Sequence, residues 1–243
     1  MLTQEQLTMM AENVAHIREN MAAAAREAGR DPADILLCAA CKTRTVEEVI
    51  ASAVLPIDLF GENHVQELVE KTDANAYCGK PGHFIGHLQT NKVRQVVGKV
   101  SLIQSVDSER LLAAIDREAA RQGIVQDILL EVNIGEEASK SGFAAEDILP
   151  LMEKIGEFSN ICIKGLMAIP PISHISGENQ KFFQKMFHLS VDIRQKKYDN
   201  VKVDCLSMGM SGDFADAIAS GSTMVRVGTA IFGARDYARD SSK

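Results

Sequence analysis

Eight short apolar runs, each followed by a polar or helix-patterned stretch, limit what this chain can fold into. They are ILLCAACK (35–42), PIDLFGEN (56–63), HFIG (83–86), SLIQSVD (101–107), DILLEVN (127–133), ICIKGLMAI (161–169), VDCLSMG (203–209) and TMVRVG (223–228). Continuous apolar runs of this length fit strands buried on both faces of a parallel sheet. They recur about every 25 residues over 33–235, the spacing of a compact (β/α)8 TIM barrel. An open doubly wound sheet is the alternative, but no run leads into the G-x-G-x-x-G turn expected there.

Ahead of the first run the sequence predicts an extra amphipathic helix. Thr3 and Gln6 have capping-box spacing, Met10, Val14, Ile17, Met21, Ala24 and Ala28 step by three or four, and Gly29 supplies the stop. Between runs, SERLLAAIDREAARQG (108–123) reads as a helix capped by Ser108 and ended by Gly123. No Pro- or Gly/Ser-rich linker divides the 243 residues, so one domain over 1–243 is expected.

Composition excludes several classes of function. The formal net charge of −7 is the wrong sign for a nucleic-acid footprint. No apolar stretch approaches the ~20 residues of a membrane span, and MLTQEQLTMM lacks the regions of a signal peptide. A cytoplasmic protein is the expectation, consistent with five cysteines and no disulfide framework. Cys38 and Cys41 form a C-x-x-C, but residues three apart on a strand point to opposite faces, so core packing is the simpler reading.

In a barrel of this kind, chemistry belongs at the C-terminal strand ends. Those ends carry Lys42, Glu62 with Asn63, Gly86 with His87, Asp107, Asn133, Met167, Ser207–Gly209 and Arg226–Thr229. Polar groups concentrate there and not elsewhere along the strands. After the last two strands, SMGMSGDF offers hydroxyl and glycine residues with a helix start near Ser211, and RVGTAIFG offers Gly228 and Thr229. Their backbone N–H groups either converge on a phosphate or simply make tight turns.

Lys42 ends an apolar run where a turn residue would be ordinary. A free lysine, with a pKa of ~10.4, is only about 0.1% neutral at pH 7.4, and only the neutral amine attacks a carbonyl. Lowering that pKa by ~3 units costs about 4 kcal/mol, which burial at an apolar barrel mouth can supply. Two readings stand: Lys42 forms an imine with a phosphorylated aldehyde, or it is the ion-pair partner of Glu62. The phosphorylated aldehyde most often held this way is pyridoxal phosphate. Arg226 would then donate to its ring nitrogen without protonating it, which suits a held cofactor or a racemase better than a transaminase. The alternative for Arg226 is an inward ion pair with Glu131. A Schiff-base aldolase would instead use a mid-barrel lysine, for which Lys164 is the candidate.

CKTRTVEEV, FGENHVQE, HFIGHLQTNK, EVNIGEEASKSGF, IKGLMAI, LSMGMSGDF and STMVRVGTAIFGAR together closely resemble the pyridoxal phosphate homeostasis proteins, from about Leu36 to Arg235. That family is similar to the N-terminal barrel of alanine racemase without its second domain. The resemblance implies that Lys42 forms the internal aldimine with pyridoxal 5'-phosphate. It implies that Ser207, Gly228 and Thr229 bind the phosphate, that Arg226 faces the ring nitrogen and that Asn63 lies beside the cofactor. His87, Asn133 and Met167 fall around the pocket, and Lys140 is either a rim contact or a solvated loop charge. The implied role is intracellular vitamin B6 homeostasis, as a carrier or reservoir that is not catalytic and that hands cofactor to pyridoxal phosphate-dependent apo-enzymes.

Weak amino-acid racemization is the alternative. It needs a second acid/base, and none of Tyr77, Tyr198 and Tyr237 is at a strand end. Without a partner domain a monomer is expected. Three positions depart from the family pattern: Thr45 replaces a usual proline, His64 a tyrosine and Gly82 a tryptophan. The last two put the lining near Asn63 and the entry to the third strand in question.

Overall fold

In the computed structural model, residues 2–137, 141–173, 175 and 177–233 are described. Eight parallel strands close into a barrel in sequence order: β1 (Leu36–Ala40), β2 (Leu59–Glu62), β3 (Gly82–Phe84), β4 (Leu102–Val106), β5 (Gln126–Glu131), β6 (Ile161–Met167), β7 (Val201–Ser207) and β8 (Met224–Val227). Every strand falls on an expected run. The described helices are α1 (Gln4–Glu27), α2 (Val46–Ser52), α3 (Val65–Asp73), α4 (Glu109–Gln122), α5 (Ala145–Met152), α6 (Gln180–Gln195), α7 (Phe214–Ala219) and α8 (Thr229–Phe232). The β3–β4 crossover is a six-residue 3-10 turn, Thr90–Gln95, in place of an α-helix. The architecture is a (β/α)8 TIM barrel with an extra N-terminal helix.

Local chemistry accounts for the helix ends. In α1, the Gln6 N–H donates to Thr3 Oγ1 and the Thr3 N–H donates back to Gln6 Oε1, forming the expected capping box. Met10, Val14, Ile17, Met21 and Ala24 are buried, but so is Ala25, and Ala28 is an exposed C-cap. The extra residue per two turns widens the stripe beyond a strict three-four step. This face packs on α7 and α8, and Asn13 Nδ2 donates to the Ile231 carbonyl. Ser108 and Gly123, the latter at φ 67°, cap α4 as expected.

Side chains alternate between two cores. Leu37, Ala39, Cys41, Phe60, Phe84 and Ile103 join the large cluster between sheet and helices. Inside the barrel, Cys38, Leu59 and Met224 form one small cluster, Leu102, Leu129 and Met167 another, and Cys205 touches both. Cys38 and Cys41 therefore point apart, and both are free thiols. Gly82 is not a gap: a Cβ there would lie 2.8 Å from the Tyr77 ring, which stacks on Phe60 with centroids 5.5 Å apart. The tyrosine occupies the space beside the strand.

One glycine is a structural necessity. Gly165 has φ 149°, and the register of β6 shifts against both β5 and β7 at this point. A Cβ here would sit 1.7 Å from the Cys205 carbonyl oxygen, a backbone atom that cannot rotate away. Gly165→Ala is expected to cost about 3 kcal/mol or more of stability in denaturant unfolding. A loss below ~1 kcal/mol would mean that β7 yields freely at this bulge.

Candidate functional site

A pocket of about 300 Å³ opens at the C-terminal strand ends. Its wall includes Lys42, Asn63, Arg226, Gly228 and Thr229, bringing five of the six principal sequence candidates into one cavity. Lys42 lies in the turn after β1. The next residue, Thr43, has φ 66°, a left-handed conformation that costs a β-branched residue about 1–3 kcal/mol. Thr45 then closes a capping box with Glu48 and starts α2, so it replaces proline with a different helix-starting device.

The pocket also carries backbone donors in its wall. Ser211, Gly212, Gly228 and Thr229 all line it, and their N–H groups donate to no described protein group. The 210–213 turn is held by Asp213, whose carboxylate accepts from the Met210 N–H at 2.7 Å and from Asn179 Nδ2 at 2.9 Å. α7 begins at Phe214, later than the sequence suggested, which leaves Ser211 and Gly212 in the turn. Unpaired N–H groups gathered at a rim suit an anion.

Ser207 lies beneath the pocket, fully buried, and not in its wall. Its hydroxyl accepts from Arg226 Nη1 at 2.5 Å and donates to Gln104 Oε1 at 2.7 Å. Gln104 Nε2 in turn lies 2.8 Å from His83 Nδ1. An amide NH2 only donates, so that ring nitrogen accepts. Burial pushes the His83 pKa down to about 4, which fits this neutral ring. Hence polar side chains are not confined to the strand ends: a directed chain, Arg226 to Ser207 to Gln104 to His83, crosses the barrel interior. Its sequence signals were Gln104 in the middle of SLIQSVD and His83 at the start of HFIG.

Arg226 Nη2 also donates to the Ala168 carbonyl at 3.0 Å. Those two bonds use two of the five guanidinium N–H groups, leaving donors for a ligand. Glu131 acts on Arg226 only at longer range, so the inward ion pair is not formed. The other proposed ion pair fails as well, because Glu62 is taken by Lys71. The Lys71 ammonium donates to Glu62 Oε1 at 2.8 Å, to Glu67 Oε2 at 3.2 Å and to the Cys41 carbonyl at 2.8 Å. Burial alone would lower the Lys71 pKa, but Glu62 and Glu67 outweigh it and the net shift is upward. Lys71 sits four residues after Glu67, a legible helical pair; its burial was not legible.

A second chamber of about 260 Å³ adjoins the first and shares Asn63, Ile85 and Ile169 with it. His87 and Asn133 line this chamber. His87 Nδ1 is 3.1 Å from Asp107 Oδ2, and Asn133 ties down its loop through Nδ2 to the Glu137 carbonyl and Oδ1 from the Glu137 N–H. A Cβ on Gly86 would meet the Asn63 carbonyl at 2.0 Å, so only glycine lets these two strand ends approach. Met167 is buried within the barrel and lines neither chamber. Lys140 lies outside the described residues. Lys164 pairs loosely with Asp127 at 3.9 Å near the start of β5, away from both chambers. His64 is exposed and bonds Glu67, leaving the Asn63 lining intact. Sequence reasoning missed Arg44, Ile85 and Ile169 as pocket lining, whereas the Met210–Gly212 turn falls in the SMGMSGDF stretch it offered for an anion.

Comparison with known proteins places the chain in a family and confirms the fold. The family model for the alanine racemase N-terminal domain matches residues 13–236. The pyridoxal phosphate homeostasis protein of Aquifex aeolicus is 39% identical over 226 residues, covering 93% of this chain and 98% of the relative. A crystal structure of an unknown protein from Bifidobacterium adolescentis superposes with a TM-score of 0.90 at 34% identity, over 96% of this chain and 98% of that one. PipY of Synechococcus elongatus, solved with PLP bound, superposes with a TM-score of 0.79 at 28% identity, over 92% and 100%.

The second chamber makes stability depend on pH. Burial, and then Asp107, raise the Glu131 pKa to about 7 from an ordinary 4.5. Between those values the folded state holds a proton that the unfolded state releases, so this group's contribution grows as pH falls from above 7 toward 4.5. Glu131→Gln is therefore expected to exceed wild type by roughly 1–2 kcal/mol at pH 8.5. The gap should close through pH 7 and vanish below pH 4.5, as read by urea unfolding across that range.

Proposed function

The chain belongs to the pyridoxal phosphate homeostasis proteins, within the family of the alanine racemase N-terminal domain, and on that premise we propose that it binds pyridoxal 5'-phosphate through an imine on Lys42. The single observation that carries this reading is one cavity with a lysine, an arginine and four residues with unpartnered N–H groups in its wall. The residues present fit the cofactor. The Ser211–Gly212 and Gly228–Thr229 turns take the phosphate through backbone donors. Arg226 donates to the ring nitrogen and, having no proton to yield, keeps that nitrogen unprotonated. Ser207 contributes from below by holding Arg226, and Asn63 sits between the two chambers.

The cofactor supplies an aldehyde and a modest electron sink; the protein's part is to hold it. We read the role as carrier or reservoir in intracellular B6 balance, with release to apo-enzymes, in the cytoplasm and as a monomer. The racemase alternative asks for a second acid/base facing the cofactor. Tyr77 is buried against Phe60 and Tyr198 lines neither chamber, while Tyr237 lies outside the described residues.

Borohydride reduction of protein incubated with pyridoxal phosphate, followed by peptide mass mapping, is expected to fix one pyridoxyl group on Lys42. Lys42→Ala should lose the visible absorbance while retaining weaker phosphate-directed binding. Label spread over surface lysines, with no absorbance change that depends on Lys42, would overturn the assignment.

A further inference from the structure

Lys42 is flanked by two peptide groups, and one buried ion cluster holds both. On the N-terminal side, Lys71 Nζ donates to the Cys41 carbonyl at 2.8 Å. On the C-terminal side, Glu67 Oε2 accepts the Thr43 N–H at 2.8 Å while also accepting from Lys71 at 3.2 Å. The third ammonium N–H goes to Glu62 at the end of β2. All three donors of Lys71 are thus used, and its side chain is only 2% exposed. Neither Glu67 nor Lys71 lines the pocket.

If the cluster served only to dock α3, contacts to the strand would suffice. Val65 and Leu68 already bury that helix face. Instead two of the cluster's bonds reach the main chain on either side of one side chain, in a turn whose next residue, Thr43, is held left-handed. We propose that Glu67 and Lys71 are positioning residues that fix the turn and thereby aim the Lys42 amine into the pocket, an inference that rests on the cofactor reading above. Imine formation adds the neutral Lys42 nitrogen to the aldehyde carbon and expels the aldehyde oxygen as water. The amine's direction governs this step, whereas the phosphate and ring contacts do not depend on it.

The test separates those two parts. Pyridoxal phosphate forms the imine; pyridoxine 5'-phosphate carries the same ring and phosphate with an alcohol in place of the aldehyde and cannot. Glu67→Ala is expected to slow imine formation at least tenfold, read by absorbance, while its affinity for pyridoxine 5'-phosphate stays within twofold of wild type. Glu67→Gln, which keeps an oxygen acceptor for the Thr43 N–H, should recover to within threefold. In the ligand-free protein, Thr43 amide exchange should accelerate at least tenfold in Glu67→Ala. Should Glu67→Ala fold poorly, Glu67→Met keeps the stem's packing and is expected to show the same split. Unchanged imine kinetics, or equal losses for both ligands, would overturn the positioning role. A wild-type protein that forms no imine on Lys42 would instead sink the cofactor reading, and the positioning role with it.

Discussion

The closure of β8 onto β1 is the constraint from which the site follows. Ala39 pairs with Val227 in the parallel ladder. The two strands then leave the sheet side by side, one into the Lys42 turn and the other into Gly228 and Thr229. A parallel register puts both at the same end of the barrel, so Lys42 and the Gly228–Thr229 turn become neighbours although about 185 residues separate them in sequence. A slip of one residue would turn every side chain of β1 to the other face and move Lys42 off the pocket. α1 reinforces the seam: Arg30, just after it, donates to the Ile218 and Ser222 carbonyls beside β8.

What the sequence could reveal follows from which interactions are local. Apolar runs, capping boxes and the Gly123 stop depend on residues within a few positions of one another, and the strands and the ends of α4 fell where those signals placed them, whereas α7 began later than expected. Pocket walls at the strand ends were legible because a closed barrel fixes their side. Partnerships were not. Glu62 was offered Lys42 as a cation because the next strand end is its neighbour, yet Lys71 on α3 reaches inward and takes it. Nothing in one sequence distinguishes a lysine that solvates itself at a helix surface from one that is buried by the strand it crosses. Likewise Ser207 lies at a strand end, but its hydroxyl points into the barrel, where Gln104 waits.

Two buried polar systems therefore lie beneath the pocket, and they differ in character. The Glu62–Lys71–Glu67 cluster carries formal charges in a nearly dry setting, with Glu62 Oε2 left without a partner. Removing one member would strand an uncompensated charge, so such clusters hold one geometry strongly even where an apolar replacement of all three would be no less stable. The chain from Arg226 to His83 carries its charge at one end only and passes it through neutral donors and acceptors. It orients the guanidinium without a counter-ion that would compete for it.

That orientation bears on what the pocket can do. Every donor in the chain points away from the cavity: Arg226 to Ser207, Ser207 to Gln104, Gln104 to a neutral His83. A chain aligned in this sense has no proton to pass toward the pocket, since its inner terminus is an unprotonated nitrogen with its pKa pushed well below neutrality. A pyridine nitrogen above Arg226 would meet a hydrogen-bond donor whose own proton is fixed by chemistry and whose supply line runs the wrong way. The electron-withdrawing power of a ring held there would then be limited by the protein. A site of this kind disfavours chemistry that needs a strong electron sink, such as transamination.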